Sequence, residues 1–380
     1  MRQKQEDIYN PQLDGLRTIA VVLVIMFHWF PVDKGFNLIS NGPLGVTLFF
    51  VLSGFLITRI LLQNRLLRPV YRFSDIYKVF MVRRVLRIFP LYYLMLLFVW
   101  LAPRIAFIPD IQTDFYEHPL HYLLYSSNFL IDKTGNWSNV LSIFWTLAVE
   151  EQFYLFWPIV IIKAHARNLK QVIMATILAG VAIRGLLFVV DHNAGVLMPT
   201  CLDSFGLGAL WAYVLVNNDN PRRFIKIINL AAPIAGLLFL YFCFNHDNTL
   251  FKVLFFRLAM SVISLYLVAN ASYKKGFGSY FGAFLENSVT MYLGRISYGL
   301  YIFHIMVPYL LIPIMISAIR YFFEISVILT DQSIIMFSTI LLIMVSTMSK
   351  YCFEQYFINL KSYFSLKRVA NRRAEDLVIK

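Results

Sequence analysis

The stretch Leu13-Asp14-Gly15-Leu16-Arg17-Thr18-Ile19-Ala20-Val21-Val22-Leu23-Val24-Ile25-Met26-Phe27-His28-Trp29 decides the fold. Its apolar run, 18–30, reads as a helix within a membrane, yet the stretch carries an arginine and a histidine where hydrocarbon tolerates few ionisable groups. Arg17 and His28 are eleven residues apart. At about 100° per helical residue they project within about 20° of each other, roughly 16 Å apart along the axis. A fixed cation at the mouth and a titratable imidazole deep inside, on one face, make a candidate site. The competing reading has Arg17 snorkelling to the interface and His28 as a satisfied core histidine.

Working outward, the run is short enough to mimic a signal-peptide core. Pro31-Val32-Asp33-Lys34 follow it rather than a small-x-small cleavage site, so it is kept as an uncleaved first span. Of the 380 residues 59% are hydrophobic and only 14% charged, against about 25% charged in an ordinary soluble domain. The expected fold class is therefore all-α: a polytopic membrane protein of about ten transmembrane helices. Spans are expected near 18–30, 43–62, 88–108, 144–163, 171–190, 199–216, 226–244, 250–270, 296–319 and 332–358. The polar stretch 109–143 leaves room for a short re-entrant or interfacial piece near 120–130. The membrane domain is expected to occupy 1–360, and 361–380 to form a basic cytoplasmic tail.

The net charge of +13 does not signal nucleic acid, because the basic residues sit between apolar spans. Ten spans put both termini on one side. That side then carries 24 Lys and Arg in its connections and ends, and the opposite connections carry five. Both termini are thus expected in the cytoplasm. Cys201, Cys243 and Cys352 lie in apolar surroundings and read as small buried hydrophobes.

Three further stretches carry ionisable groups. Arg84 and Arg87 share a helix face at the cytoplasmic end of the third span, where with Arg17 they suit phosphate; the alternative is plain positive-inside charge. In Phe144-Trp145-Thr146-Leu147-Ala148-Val149-Glu150-Glu151-Gln152-Phe153-Tyr154, two carboxylates enter the bundle from outside, and Glu150 stacks with Tyr154 at i, i+4. Glu150 is expected to reach the depth of His28 and orient it. In Ser297-Tyr298-Gly299-Leu300-Tyr301-Ile302-Phe303-His304 a polar stripe of Ser297, Tyr301 and His304 starts the ninth span. Ser53 reads as helix packing beside Gly54, and Arg184, Arg257 and Glu354 as structural ion pairs. His118 and His121 lack a third metal ligand, and no metal is expected.

Taken together, these stretches resemble the acyltransferase-3 family of membrane acyltransferases, which modify sugars of lipopolysaccharide, peptidoglycan and related glycans. The resemblance covers 9–358. It rests on Leu13-Asp14-Gly15-Leu16-Arg17 with His28, Phe49-Phe50-Val51-Leu52-Ser53-Gly54-Phe55-Leu56-Ile57, Arg84-x-x-Arg87, the Glu150 and Ser297 stretches, and Glu354. It implies a ten-helix core in the bacterial inner membrane and an acyl-coenzyme A donor, usually acetyl-CoA. It also implies essential roles for Arg17, His28, Arg84, Arg87 and Glu150. Two departures are Thr47, where members commonly have an acidic residue, and Tyr356, where Glu-x-Pro is usual. Many members append an SGNH domain; with Lys380 at its end, the chain is expected to be a single-domain member.

The expected reaction is O-acetylation of an envelope glycan, with lipopolysaccharide O-antigen the favoured acceptor. Arg17, Arg84 and Arg87 would grip coenzyme A, and His28 would serve as general base beside Glu150. Trp145, Tyr154, Ser297, Tyr301 and His304 are the candidate substrate contacts. Direct transfer and an acetyl-enzyme both remain open. The alternative is a transporter or flippase of a lipid-linked sugar, for which broken helices and inverted halves would be expected; no such symmetry is seen.

Overall fold

The computed structural model describes residues 10–366 apart from 32–33, 40, 68–70, 106–107, 109–110, 191–194, 246, 248 and 325–328. The described residues are all-helical. Asn10 caps the first helix, α1 (Pro11–Trp29), by accepting from Gln12 N at 3.1 Å, with Pro11 in the first turn. Then come α2 (Asn41–Arg65) and α3 (Phe73–Leu101), followed by two short helices, α4 (Pro119–Leu123) and α5 (Ser127–Thr134), in the stretch expected to hold an interfacial piece. Next are α6 (Phe144–Lys163), α7 (Leu169–Val189), α8 (Leu202–Val216), α9 (Pro221–Phe244) and α10 (Leu250–Ser272). Two short helices, α11 (Ser279–Leu285) and α12 (Ser288–Arg295), precede α13 (Ser297–Met306), α14 (Ile312–Phe323), α15 (Asp331–Met348) and α16 (Gln355–Leu360). A π-helical turn, Val307–Leu311, joins α13 to α14, and another, Ser349–Glu354, joins α15 to α16.

Nine helical segments among the described residues are long and apolar enough to cross a membrane. The tenth expected span, α6, is not among them, because Glu150, Glu151 and Gln152 interrupt it. Its 20 residues nevertheless reach about 30 Å. It runs parallel to α2 and bonds it at three levels. Ser53 Oγ donates to Glu150 Oε1 at 2.8 Å, Trp157 Nε1 donates to Thr58 Oγ1 at 2.7 Å, and Arg65 donates to the carbonyls of Ile161 and Ala164 at 2.5 and 2.7 Å. Over this length α6 accompanies α2, itself long and apolar enough to span, to the same end of the bundle. Its polarity is tolerated because Glu151, Phe153 and Trp157 face protein rather than lipid.

Small residues set the crossing of α2 and α8. A Cβ on Gly54 of α2 would strike Phe205 O of α8, and one on Gly208 of α8 would strike Val51 O of α2, so the two backbones touch through paired glycines. The outer faces of α9 and α15 show the opposite chemistry. Leu230, Ile234, Leu237, Ile340 and Met344 are exposed apolar side chains, as a lipid-facing surface requires.

If α6 spans, the loops at its two ends lie on opposite sides. In a background without the native cysteines, Lys133→Cys is expected to react with a membrane-impermeant maleimide on intact cells. Arg167→Cys is expected to react only after permeabilisation. Labelling of both from one side would remove α6 from the spans.

Candidate active site

The ionisable residues singled out in the sequence sort into two abutting cavities, one above the other. The inner slot, about 120 Å³, is lined by Arg17 of α1, Ser53 of α2, Arg84 and Arg87 of α3, Glu150 and Tyr154 of α6, and Ser297, Tyr298 and Tyr301 of α13. Arg84 lies about two-fifths of the way along the long α3 and Arg87 at its midpoint. Both oxygens of Glu150 are satisfied: Ser53 donates to Oε1, and the Tyr154 hydroxyl donates to Oε2 at 2.9 Å. The Arg84 guanidinium lies over the Tyr154 ring at 5.6 Å and the Phe80 ring at 5.4 Å, held by aromatic faces rather than by a carboxylate. Arg17 pairs with Asp14 one turn earlier on its own helix. Three guanidiniums against one lining carboxylate leave the slot cationic.

The outer chamber is larger, about 910 Å³, near the upper end of the range for ligand sites. His28 lines it from the last turn of α1, Arg257 from α10, and Trp137 and Asn139 from the outer loop. Trp145 lines it from the first turn of α6 and meets Trp137 edge to face at 6.1 Å. Flat aromatic faces beside amide and hydroxyl groups suit a sugar, which has apolar faces and a polar rim.

Val46, Phe50 and Tyr301 line both cavities and form the wall between them. The wall is rigidly held. Phe50 stacks on Phe205 at 4.7 Å, and the Tyr301 hydroxyl hydrogen-bonds Thr146 Oγ1 at 2.6 Å.

His28 has a second imidazole beside it. The rings of His28 and His304 are 5.0 Å apart at their centres. His304 Nδ1 lies 2.6 Å from the Tyr301 carbonyl oxygen. A carbonyl only accepts, so Nδ1 carries the hydrogen and Nε2 is left as an acceptor. That Nε2 is buried and meets no partner among the described residues. Trp29 Nε1 donates to the His304 carbonyl at 2.7 Å and Tyr309 to the His28 carbonyl at 3.3 Å, tying α1 to the α13 segment at this level.

The expected pairing of Glu150 with His28 is therefore corrected. His28 sits near the outer end of α1, whereas Glu150 meets Ser53 at the middle of α2 and faces the inner slot. The predicted face shared by Arg17 and His28 is the face that lines the cavities, but their axial separation places one residue in each. Trp145 belongs to the outer chamber, Tyr154 and Ser297 to the inner slot, and Tyr301 to both. His304 stands behind His28 and lines neither. Ser53, read above as packing, is a ligand of Glu150, while its neighbour Gly54 does the packing. The signal was a hydroxyl at mid-span in an otherwise apolar run. Arg184 pairs with Asp203 at 2.8 Å and Glu354 with Lys350 at 3.8 Å, as expected of structural ion pairs. Arg257 has no carboxylate partner among the described residues.

The profile of the acyltransferase domain family (Acyl_transf_3) matches residues 10–349. Among curated proteins, the chain is 28% identical over 335 residues to the peptidoglycan O-acetyltransferase OatA of Listeria monocytogenes, covering 81% of this chain and 50% of that protein. It is 31% identical over 341 residues to YrhL of Bacillus subtilis, provisionally named a peptidoglycan O-acetyltransferase, covering 82% and 50%. It is 28% identical over 318 residues to SAS0844 of Staphylococcus aureus, provisionally named an O-acetyltransferase, covering 78% and 50%. The chain thus spans about half the length of the curated relatives it matches. No solved structure matches it.

The two hydrogen bonds that Glu150 accepts, from Ser53 and Tyr154, make a stability prediction. Ser53→Ala and Tyr154→Phe each leave a buried carboxylate oxygen without its donor, and each is expected to cost about 1–3 kcal/mol. The two costs should be non-additive by about 0.5 kcal/mol or more, because both act on one group. Reversible unfolding of the four proteins of this cycle in detergent measures both quantities; strict additivity would count against a shared Glu150.

Proposed function

The chain belongs to the acyltransferase-3 family, and on that premise we propose that it is a bacterial cytoplasmic-membrane O-acetyltransferase. It moves acetyl from cytoplasmic acetyl-CoA to a hydroxyl of an envelope glycan. The relatives point the acceptor toward peptidoglycan rather than the O-antigen expected above. The observation that carries the reading is the stacking of the two cavities: a cationic slot at the cytoplasmic side abuts a sugar-sized aromatic chamber at the outer side.

In this reading Arg84 and Arg87, with Arg17, hold the phosphates of coenzyme A. Arg84 is suited to it because ring faces, not a carboxylate, fix its guanidinium and leave its donors for an anion. The narrow slot admits an extended arm rather than a ring, and the roughly 16 Å from Arg17 to His28 sets how far that arm reaches. Glu150 limits the positive charge of the slot and, through Tyr154, holds the ring over which Arg84 lies.

The acceptor occupies the outer chamber with one hydroxyl at His28. The imidazole takes the hydroxyl proton, the oxygen attacks the thioester carbonyl, and the carbon–sulfur bond breaks. The coenzyme A thiolate leaves and recovers the proton from the imidazolium. His304, with its Nε2 lone pair beside His28, takes the orienting role that Glu150 is too deep to play. An N–H of His28 turned toward it leaves the other ring nitrogen free to accept from the chamber.

Acetate released by alkali from isolated envelope tests this reading. His28→Ala is expected to abolish it while the glycan still reaches the surface; loss of surface glycan with normal esterification of the remainder would instead indicate transport. Arg84→Ala and Arg87→Ala are each expected to raise the KM for acetyl-CoA by about tenfold or more, the equivalent of one charge-assisted hydrogen bond. The KM for the glycan should not change.

A further inference from the structure

Two arginines reach the same short segment, Met198–Cys201, from different helices, and they are treated differently. Arg184 of α7 is buried and neutralised: it bonds Asp203 Oδ2 at 2.8 Å as well as the carbonyls of Val253, Thr200 and Leu254. Arg257 of α10 meets only neutral acceptors. Its Nη1 lies 3.2 Å from the Thr200 carbonyl oxygen, 3.4 Å from Thr200 Oγ1 and 3.0 Å from Cys201 Sγ, and its Nη2 donates to the Gly195 carbonyl at 2.5 Å. Those contacts commit both Nη1 hydrogens and one of Nη2. The Nε–H and the second Nη2–H remain, with no acceptor among the described residues.

The position of this guanidinium gives that imbalance its meaning. Arg257 lines the outer chamber two turns below the outer end of α10. The chamber's described lining contains no Asp, Glu or Lys, so among the described residues its one permanent charge is positive. A cation at such depth, fixed by carbonyls and still holding two donors, stabilises an oxyanion that enters beside it. A loop anchor alone needs no charge at a cavity wall, and Arg184 already anchors this segment.

We infer that Arg257 is an oxyanion-binding residue of the outer chamber, so that the acceptor is an acidic glycan whose carboxylate or phosphate docks there while its hydroxyl faces His28. This rests on the reading above that the chamber receives the acceptor. The same chemistry has two sources, a carboxylate on the sugar or a pyrophosphate on its lipid carrier.

The test uses the full chain in proteoliposomes with acetyl-CoA and two matched pairs of acceptors. One pair is a peptide-free peptidoglycan oligosaccharide with free lactyl carboxylates and its methyl ester. The other is a polyprenyl-pyrophosphate-linked disaccharide and the same disaccharide without the pyrophosphate. The wild type is expected to favour the anionic member of at least one pair by about tenfold or more in kcat/KM. Arg257→Gln should lower the anionic member to the level of its neutral partner and leave the neutral partner and the KM for acetyl-CoA unchanged. Arg257→Lys, which keeps the charge, should restore most of the preference.

A preference within the first pair assigns the sugar acid and within the second the carrier; either upholds the inference. Equal rates within both pairs, or a preference that survives Arg257→Gln, overturn it. Should Arg257→Gln not accumulate in the membrane, the wild-type ratios and Arg257→Lys still decide. Failure of the wild type to acetylate any of the four acceptors would instead sink the functional reading on which the inference stands.

Discussion

The parallel pairing of α2 with α6 is the constraint on which the site depends. Three rungs, Ser53 to Glu150, Thr58 to Trp157 and Arg65 to the end of α6, hold the two helices in register along the C-terminal half of α2. Each rung satisfies polar groups that hydrocarbon would leave unsatisfied, so slipping the register by a turn would orphan several at once. The same register puts Phe50 of α2 edge-on to Trp145 of α6, at 6.3 Å between ring centres. It therefore places the wall between the cavities as well as the carboxylate in the lower one.

Charge then separates the groups answered within the protein from those proposed to meet a ligand. At depth an ionised side chain needs either a partner in the protein or a ligand. Arg184 with Asp203 and Lys350 with Glu354 have the first. Arg84 and Arg257 line cavities, and rings or carbonyls hold them without cancelling their charge. The two occur in different cavities, which is what a reaction joining a polyanionic donor to a second substrate from the other side requires.

Much of this was legible in the sequence, and the exceptions share a cause. Span positions followed from apolar runs because lipid imposes that pattern directly. The face common to Arg17 and His28 followed from helical periodicity and holds, since each lines a cavity. What failed was depth. Counting residues from a membrane edge puts Glu150 beside His28, yet α6 starts alongside the interior of α2 rather than at its end. Periodicity fixes an angle, whereas the height of one helix against another is set by what the two helices bond and pack, here Ser53 on Glu150 and Thr58 on Trp157. Ser53 was passed over for a related reason: a single hydroxyl acquires meaning only from the side chain opposite it, which a linear reading cannot supply. Arg257 was grouped with the ion pairs because the sequence shows that a charge is present but not whether anything answers it.

The corrected depth changes how the chemistry is divided. A carboxylate hydrogen-bonded to His28 would keep that imidazole near a negative charge in the chamber where an anionic acceptor is proposed to sit, and the two anions would repel. In the proposed mechanism His304 takes the orienting part without bringing a carboxylate into the chamber, since its Nδ1 is committed to the Tyr301 carbonyl and its ring lies beside His28. Glu150 instead lines the slot with the guanidiniums of Arg84 and Arg87, where in the proposed reaction its carboxylate would offset their mutual repulsion. Placing the acid below the wall and the two imidazoles above it lets one bundle hold anions on both sides. The Tyr301 ring, fixed by Thr146, lines both cavities, so in the proposed reaction it is the side chain past which the thioester is presented to the acceptor hydroxyl.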